Sequence, residues 1–111
     1  MLKIFDDNRI ELTRGDTARL AVTVTDDDTG EEYDIQSTDV LTLSIKKKPK
    51  DSEALVSKSV EGSNVFHIEP KDTSELKFGS YVYDVQINTA EGDVYTVIPP
   101  SEFVIGEEVT T

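Results

Sequence analysis

The sequence predicts an all-β fold, and three observations support that prediction. Apolar and polar residues alternate strictly over residues 81–87, which is the period of a half-buried strand. Similar short runs recur about every ten residues with turn-forming residues between them, a spacing typical of a β-sandwich rather than of βαβ units. The length of 111 residues suits a single domain, 1–111, of about seven to nine strands.

The N-terminal part of the chain is predicted to contain three strands. Residues 2–5 are extended, and residues 10–13 alternate as a short second strand. A tight turn follows, in which Gly15 supplies an unusual φ angle and Asp16 can accept hydrogen bonds from nearby backbone amides. Residues 17–25 alternate over a longer stretch and form the first strong strand.

The middle of the chain is predicted to add three more strands. Residues 40–45 alternate, and Pro49 ends this strand because proline cannot donate to a ladder. Residues 54–58 form a short strand, and residues 61–64 make a hairpin-type connection. The strand at residues 65–68 follows this connection.

One short helical turn is predicted near residues 71–76, before the alternating strand at residues 81–87. Asp72 can cap this turn, and Glu75 lies three residues further on, where it can cap back. A helical turn at this point connects the strand at 65–68 to the strand at 81–87.

The last part of the chain is predicted to form a hairpin and a final strand. Residues 90–93 read as a tight turn, and residues 94–98 pair back on the preceding strand. Pro99 and Pro100 are expected to break the ladder before a last strand at residues 102–105.

The residues around the start of the strand at 81–87 narrow the fold class. Gly79 permits a sharp bend or a positive φ angle, and Leu76 can fill the core below the corner. Tyr81 and Tyr83 then lie on the inward side of the strand. An immunoglobulin-like sandwich has a tyrosine near the start of its penultimate strand, with its hydroxyl hydrogen-bonded to the backbone upstream. We therefore predict an immunoglobulin-like β-sandwich of about seven to nine strands, with Tyr81 in that position.

The composition limits the partners and the location of the protein. A net charge of −12 argues against nucleic acid and anionic membrane as partners, because phosphate binding needs a basic surface. The first residues become acidic too early for a signal peptide, and no apolar run approaches the length of a membrane span. We expect a soluble protein that stays in the cytoplasm until it is assembled or released.

No residue pattern indicates catalysis or a bound cofactor. The chain has no cysteine, which excludes thiolate catalysis and sulfur-ligated metals. His67 is the only histidine and alternates outward, and a single histidine without cysteine cannot build the usual zinc site. Carboxylate pairs exist among the 23 acidic residues, but none lies beside a feature that would raise a pKa. We expect a non-enzyme that needs no cofactor and no metal.

Two charged clusters leave alternatives open. The acidic block at residues 26–32 does not fit an EF-hand loop, since Gly30 stands at the fifth position, where a further oxygen ligand is needed. A loose calcium site stays open there, with a solvated turn as the default. The lysines at positions 46, 47, 48 and 50 suit a solubilising strand end. Alternatively, this basic edge meets the acidic loop of a neighbouring subunit.

Two further features of the sequence suggest binding. Residues 14–16 spell the Arg-Gly-Asp tripeptide that integrins recognise, but a turn between two strands explains these residues better. Four tyrosines could stack on sugars, yet alternation assigns Tyr81 and Tyr83 to the core. Tyr33 and Tyr95 are then the candidates for an exposed aromatic platform.

Several motifs, taken in their order and spacing, point to a known family. They are the Arg-Gly-Asp-Thr turn at 14–17, the strand end at 43–47, the charged turn and strand at 51–58, residues 68–73, and then Leu76, Gly79, Tyr81, Tyr83 and Asp84. In this arrangement the chain resembles the immunoglobulin-like domain of phage tail and baseplate proteins. Over residues 9–105 it is most similar to the N-terminal domain of upper baseplate proteins of phages and prophages of Gram-positive bacteria.

The resemblance implies a structural function in a phage or prophage tail. The expected partners are other tail or baseplate proteins, with a homo-oligomer left open. The expected location is the virion tail, after expression in the bacterial host cytoplasm. No catalytic residue is implied, and the residues that match the family are expected to be scaffold positions: Gly15, Asp16, Leu76, Gly79, Tyr81, Tyr83 and Asp84. The alternative function is that of a carbohydrate- or ligand-binding β-sandwich module.

Overall fold

The computed structural model describes residues 2–4, 8–25 and 29–107 of the chain. In these segments the fold is mostly β, and no helix is long and apolar enough to cross a membrane. The elements are β1 (Leu2–Ile4), β2 (Ile10–Thr13), β3 (Ala18–Ala21), β4 (Val40–Lys46), β5 (Val56–Glu61), β6 (Val65–Ile68), α1 (Pro70–Thr73), β7 (Gly79–Asn88) and β8 (Val94–Gly106).

The larger of the two sheets has six strands in the order β1-β2-β8-β7-β4-β5. Its strands are antiparallel except for β2 and β8, which run parallel. The long strand β7 lies between β4 and β8 and alternates between buried and partly exposed side chains. Because β4 shows the same alternation, the two strands present one continuous apolar face to the core.

The second sheet consists of β3 and β6, which pair antiparallel with Leu20 opposite Phe66. Both residues belong to one cluster of buried side chains that also includes Leu43, Val85 and Phe103 of the larger sheet. All five are at most 2 % exposed. The two sheets are therefore joined by a shared core, and burial of this apolar surface is the main source of stability.

Most of the predicted strands are confirmed, with changes at their ends. β2 and β6 have the predicted bounds, and β4 is one residue longer than predicted. β3 ends at Ala21, the last residue in its ladder with β6, although the Val22 N–H still donates to the Asn64 carbonyl at 2.9 Å. β5 starts at Val56 and continues to Glu61, since its whole length pairs with β4.

The helical turn is confirmed, but it lies earlier than predicted. α1 covers Pro70–Thr73 instead of residues 71–76, and Glu69 is its N-cap residue. Proline is favoured in the first turn because its fixed φ angle suits a helix and its missing N–H is not needed there. Asp72 is therefore not the cap: its carboxylate accepts a hydrogen bond of 2.7 Å from the Glu69 N–H. Glu75 lies beyond the helix.

The predicted break at residues 99–100 is wrong. β8 is one strand that continues through both prolines to Gly106. The ladder with β7 shifts there, because Tyr83 pairs with Ser101 whereas Val85 pairs with Ile98. This register shift leaves an extra residue on β8, and a β-bulge of this kind tolerates the missing N–H groups of proline.

Candidate functional site

The turn between β2 and β3 is bound to the segment that connects α1 to β7. The Gly15 N–H donates to the Thr73 hydroxyl at 2.9 Å, and Thr73 is fully buried. Arg14 donates from its guanidinium to the Leu76 carbonyl at 3.4 Å and lies over the Phe78 ring, 4.2 Å from its centroid. The predicted turn at residues 14–16 is thus confirmed. Its Arg14 side chain contacts Leu76 and Phe78 in the segment that leads from α1 into β7, which we call the corner.

The predicted hydrogen bond of the Tyr81 hydroxyl is confirmed at the same corner. This hydroxyl donates to the Lys77 carbonyl at 2.7 Å, and Tyr81 is 6 % exposed. The Lys47 ammonium lies 4.6 Å from the Tyr81 ring centroid and donates to the Ser80 carbonyl at 3.1 Å. Gly79 begins β7 with a φ angle of 133°, which side-chain-bearing residues rarely adopt.

Of the remaining residues singled out by the family resemblance, Tyr83 and Asp84 do not join this corner. Tyr83 lies in the core, where its ring meets Phe103 edge-on at 5.8 Å between centroids. The Tyr83 hydroxyl donates to the carbonyl of Asn8, which ties the residues just before β2 to β7. Asp84 lies on the opposite, partly exposed face of β7. Asp16 closes the turn after β2 through its backbone N–H.

A groove of about 810 Å³ lies at the far end of β7 from this corner. It is formed by residues 23–25, 33 and 36–39, which lie between β3 and β4, by the turn between β7 and β8, and by the first residues of β8. The side chains that give it chemical character are Tyr33, Gln36, Asp39, Glu91, Asp93 and Tyr95. Its volume lies within the range typical of small-ligand sites.

Asp39 organises one wall of the groove from a buried position, with 2 % of its surface exposed. Its Oδ2 atom accepts hydrogen bonds from the Tyr33 hydroxyl at 2.7 Å and from the Gln36 N–H at 2.9 Å. The bond to Asp39, followed by burial and by the negative charges of Asp39 and Glu91, raises the pKa of Tyr33 above its usual value of 10.0. The Tyr33 hydroxyl therefore remains a neutral donor at physiological pH.

The turn between β5 and β6 supports the same wall from behind. The Gly62 N–H donates to the Asp39 carbonyl at 2.8 Å. Gly62 has a φ angle of 66°, and a Cβ atom there would lie 3.2 Å from the backbone of Ser37. Glycine suits both this φ angle and this close approach. The bond from the Gly62 N–H to the Asp39 carbonyl then holds the two loops together and keeps the wall in place.

The groove combines aromatic faces with negative charge. Glu91 and Asp93 are exposed on the β7–β8 turn, and Tyr95 is 58 % exposed at the start of β8. Tyr33 and Tyr95, predicted as separate candidates for an aromatic platform, both line this groove. No lysine or arginine lines it in the described part of the chain. The arrangement suits a cationic group, or a polar ligand that stacks on a ring.

Other candidates from the sequence lie outside the groove. His67 is exposed on β6, opposite Arg19, as its alternation predicts. Asp26–28, where the calcium hypothesis begins, lie outside the described residues, so that hypothesis remains a prediction. Within residues 2–4, 8–25 and 29–107, no three side chains of metal-binding type are gathered as a site.

Two positions, one at the corner and one in the groove wall, were not found from the sequence. Thr73 looked like an ordinary helical residue, and only the fold brings its hydroxyl to the turn after β2. Asp39 stands three residues after Gln36 in a polar stretch before a strand, a pattern typical of a side chain that bonds nearby backbone. That pattern could have revealed the Asp39–Gln36 bond, but not the bond to Tyr33.

Comparison of the chain with family models, with curated proteins and with solved structures found no match. A function for the protein has to be inferred from its own residues and geometry.

Proposed function

We propose that the chain is a non-enzymatic structural module that docks into a phage or prophage tail, folded over residues 1–111 as one immunoglobulin-like β-sandwich. Its partners are other tail or baseplate proteins, and its location is the virion tail. The net charge of −12 supports a protein partner rather than nucleic acid or a membrane surface.

The strand order supports the immunoglobulin-like part of this proposal. In such folds, strands B and E pair in one sheet, whereas C, F and G lie in the other, to which variable domains add C′. The protein has β3 beside β6 in one sheet and the run β8-β7-β4-β5 in the other. These match B and E, and G, F, C and C′, in both chain order and spatial order.

The observation that carries the proposal is the hydrogen bond from Tyr81 to the Lys77 carbonyl. It lies at the connection between β6 and β7, which correspond to strands E and F, where immunoglobulin-like folds have a tyrosine of this kind. The resemblance to tail and baseplate modules includes Gly15, Leu76, Gly79 and Tyr81. These residues serve the corner through backbone bonds and packing, which supports a scaffold role for them.

The decisive experiment is immunogold labelling of particles released from an induced culture of the bacterium that encodes the chain. We expect label at the tail tip or baseplate. Intact particles that stay unlabelled would remove the virion role. The control for buried epitopes is a phage that carries the tagged chain, whose partly disassembled tails the same antibody should bind.

A second candidate function is the binding of a carbohydrate or another small ligand, and the groove favours it. In variable domains the loops B–C and F–G, which bind antigen, lie at one end of the sandwich. The corresponding loops here, between β3 and β4 and between β7 and β8, form the groove that holds Tyr33 and Tyr95. Specific signals on a glycan array that disappear with Tyr95→Ala would establish this function. Equal signals from both proteins would dismiss a role for the groove in glycan binding.

A further inference from the structure

We infer that the groove binds the basic turn of a second copy of the chain, so that copies associate head to tail. The basic turn is residues 46–50, which connect β4 to the segment before β5. The inference deepens the proposed function, on which it rests, by naming an occupant for the groove within an assembly.

The basic turn is a compact projection with two cations available for binding. The Lys48 N–H donates to the Asp51 carboxylate at 3.0 Å, and the Asp51 N–H donates to the Lys48 carbonyl at 3.1 Å. Lys47 lies over the Tyr81 ring of its own subunit. Lys48 and Lys50 are exposed, and no described carboxylate forms an ion pair with either ammonium group.

The groove offers complementary groups at its rim. Glu91 and Asp93 are exposed there, and neither carboxylate is paired with a cation within the described segments. Tyr95 exposes most of its ring beside them, and an aromatic face attracts an ammonium group and packs against a lysine stem. The two lysines of the turn are therefore complementary in charge to the two carboxylates, and Tyr95 adds an aromatic face for one lysine stem.

The basic turn and the groove belong to opposite ends of the molecule. Asp39, in the groove wall, directly precedes β4, and Lys46 is the last residue of that strand. β4 has seven residues, so its two ends are about 20 Å apart. A subunit cannot place its own basic turn in its own groove, and the contact has to form between copies.

An interface of this type has defined consequences. It is heterologous, since one subunit contributes the groove and the next contributes the turn, and it can close into a ring or continue as a filament. The two terminal subunits of an open assembly each keep one unused site, a groove at one end and a basic turn at the other, until the assembly closes. Because the contacts are exposed ion pairs, association is weak and depends on salt.

Analytical ultracentrifugation of the purified chain tests the inference. We expect association that increases with protein concentration in low salt. Raising the ionic strength from about 0.05 M to about 0.5 M should weaken it at least about tenfold, because surface charges are then screened. Two double variants remove one side of the contact each: Lys48→Glu with Lys50→Glu, and Glu91→Lys with Asp93→Lys. Each variant should be monomeric by itself.

Mixing the two double variants supplies the deciding measurement. The first keeps an intact groove and the second an intact basic turn, and the reversed charges of the two variants are also complementary to each other, so an equimolar mixture should associate although neither variant does so alone. A matched control, Glu75→Lys with Glu107→Lys, changes net charge by as much as the groove variant but alters exposed residues outside both surfaces. It should associate at least as strongly as the unmodified chain.

Three results would overturn the inference. They are an unmodified chain that stays monomeric at millimolar concentration in low salt, folded variants that do not associate when mixed, and an interface that the Glu75→Lys, Glu107→Lys control abolishes. A monomeric chain together with immunogold label at the tail would reject the head-to-tail contact alone. Unlabelled particles would reject the tail role, whatever the purified chain does.

Discussion

At the scale of single residues, the three buried or half-buried tyrosines use their hydroxyl groups to hold loops. Tyr81 bonds the Lys77 carbonyl, Tyr83 bonds the Asn8 carbonyl, and Tyr33 bonds the Asp39 carboxylate. A buried hydroxyl needs such a partner, because an unsatisfied polar group in the interior destabilises the fold. Tyr95 differs from these three, since its exposed ring is available to a ligand or another subunit.

Replacing Tyr81 with phenylalanine tests the corner. Tyr81→Phe should lower the free energy of unfolding by about 1–2 kcal/mol, because it removes one hydrogen bond and leaves the Lys77 carbonyl without its donor. Urea denaturation measures this change. Tyr95→Phe, at an exposed ring, is the matched control and should have almost no effect. Equal denaturation midpoints for Tyr81→Phe and the unmodified chain would show that this bond does not stabilise the corner.

The bond between Tyr33 and Asp39 should make stability depend on alkaline pH. The pKa of Tyr33 is raised in the folded protein, so its contribution is complete below the unfolded value of about 10 and is lost as pH rises through the folded value. Tyr33→Phe should therefore cost about 1 kcal/mol at pH 7, and this difference should shrink above pH 10. Urea denaturation at several pH values provides the measurement. A difference that stays constant up to pH 11 would contradict this expectation.

At the scale of elements, α1 is too short to be stable alone and depends on its neighbours. Asp72 accepts a hydrogen bond from the Glu69 N–H and forms an ion pair with Lys58 of β5 at 2.8 Å. Burial by itself would raise the pKa of Asp72, but the bonds from Lys58 and Glu69 and the charges of Lys58 and Lys71 lower it overall. The carboxylate thus completes the capping box of α1 from its third helical position and fastens the helix to an edge strand of the larger sheet.

Removing this charge should weaken the attachment of α1 in a pH-dependent way. Because the folded pKa is lowered, the stabilisation by Asp72 is present above its usual value of 3.8 and is lost as pH falls through the folded value. Asp72→Asn should cost about 1 kcal/mol at pH 7 and almost nothing in strong acid.

Acid and urea denaturation of the two proteins, measured side by side, tests the role of Asp72. Lys71→Ala is the control, because Lys71 and Glu69 form an exposed ion pair of 3.1 Å that should contribute little. A cost for Asp72→Asn that persists at low pH would mean that the side chain acts through packing and not through its charge.

At the scale of the whole molecule, the shared core joins the two sheets into one structure. Ile68 belongs to the small sheet and Ile105 to the large one, and both are 1 % exposed within the same cluster. A disturbance in either sheet is therefore expected to lower the stability of both. The same coupling is expected if residues 1–111 form one domain, as proposed.

Matched core substitutions test this coupling. Ile68→Val and Ile105→Val should each lower the free energy of unfolding by about 0.5–1.5 kcal/mol, since each removes one buried methylene. Val94→Ala, at a residue that is 54 % exposed, should change it by less than about 0.5 kcal/mol. Hydrogen exchange resolved by residue should show β3, β6, β7 and β8 losing protection together. Separate opening of the small sheet would indicate two independent units.

Local pattern was sufficient to predict much of the fold. The alternation around Tyr81, Tyr83 and Val85 predicted both the strand and its buried face, because successive side chains of a strand must point to opposite sides. The hydroxyl bond of Tyr81 was predicted as well, since its partner lies only four residues upstream. Features of this kind depend on neighbours along the chain, which a sequence displays directly.

The sequence pattern was less reliable for the ends of elements, where a neighbouring residue or a partner strand can change the boundary. Asp72 was predicted to cap the helical turn, but Pro70 at the first helical position moved the cap to Glu69. The prolines at 99–100 were expected to end a strand, whereas the register shift against β7 accommodates them. The first outcome depended on a neighbouring residue whose preference for the first helical position prevailed, and the second on a partner strand whose position the sequence does not specify.

By itself, the sequence determined the all-β class, most strand positions, the inward faces and the acidic charge of the protein. Only the tertiary structure decided that β2 runs parallel to β8, that Thr73 reaches Gly15, and that Tyr33 and Tyr95 line one groove. The physical reason is the range of the interactions. Alternation and turn chemistry act within a few residues, whereas these contacts join residues about 60 or more positions apart, whose meeting depends on how the whole core packs.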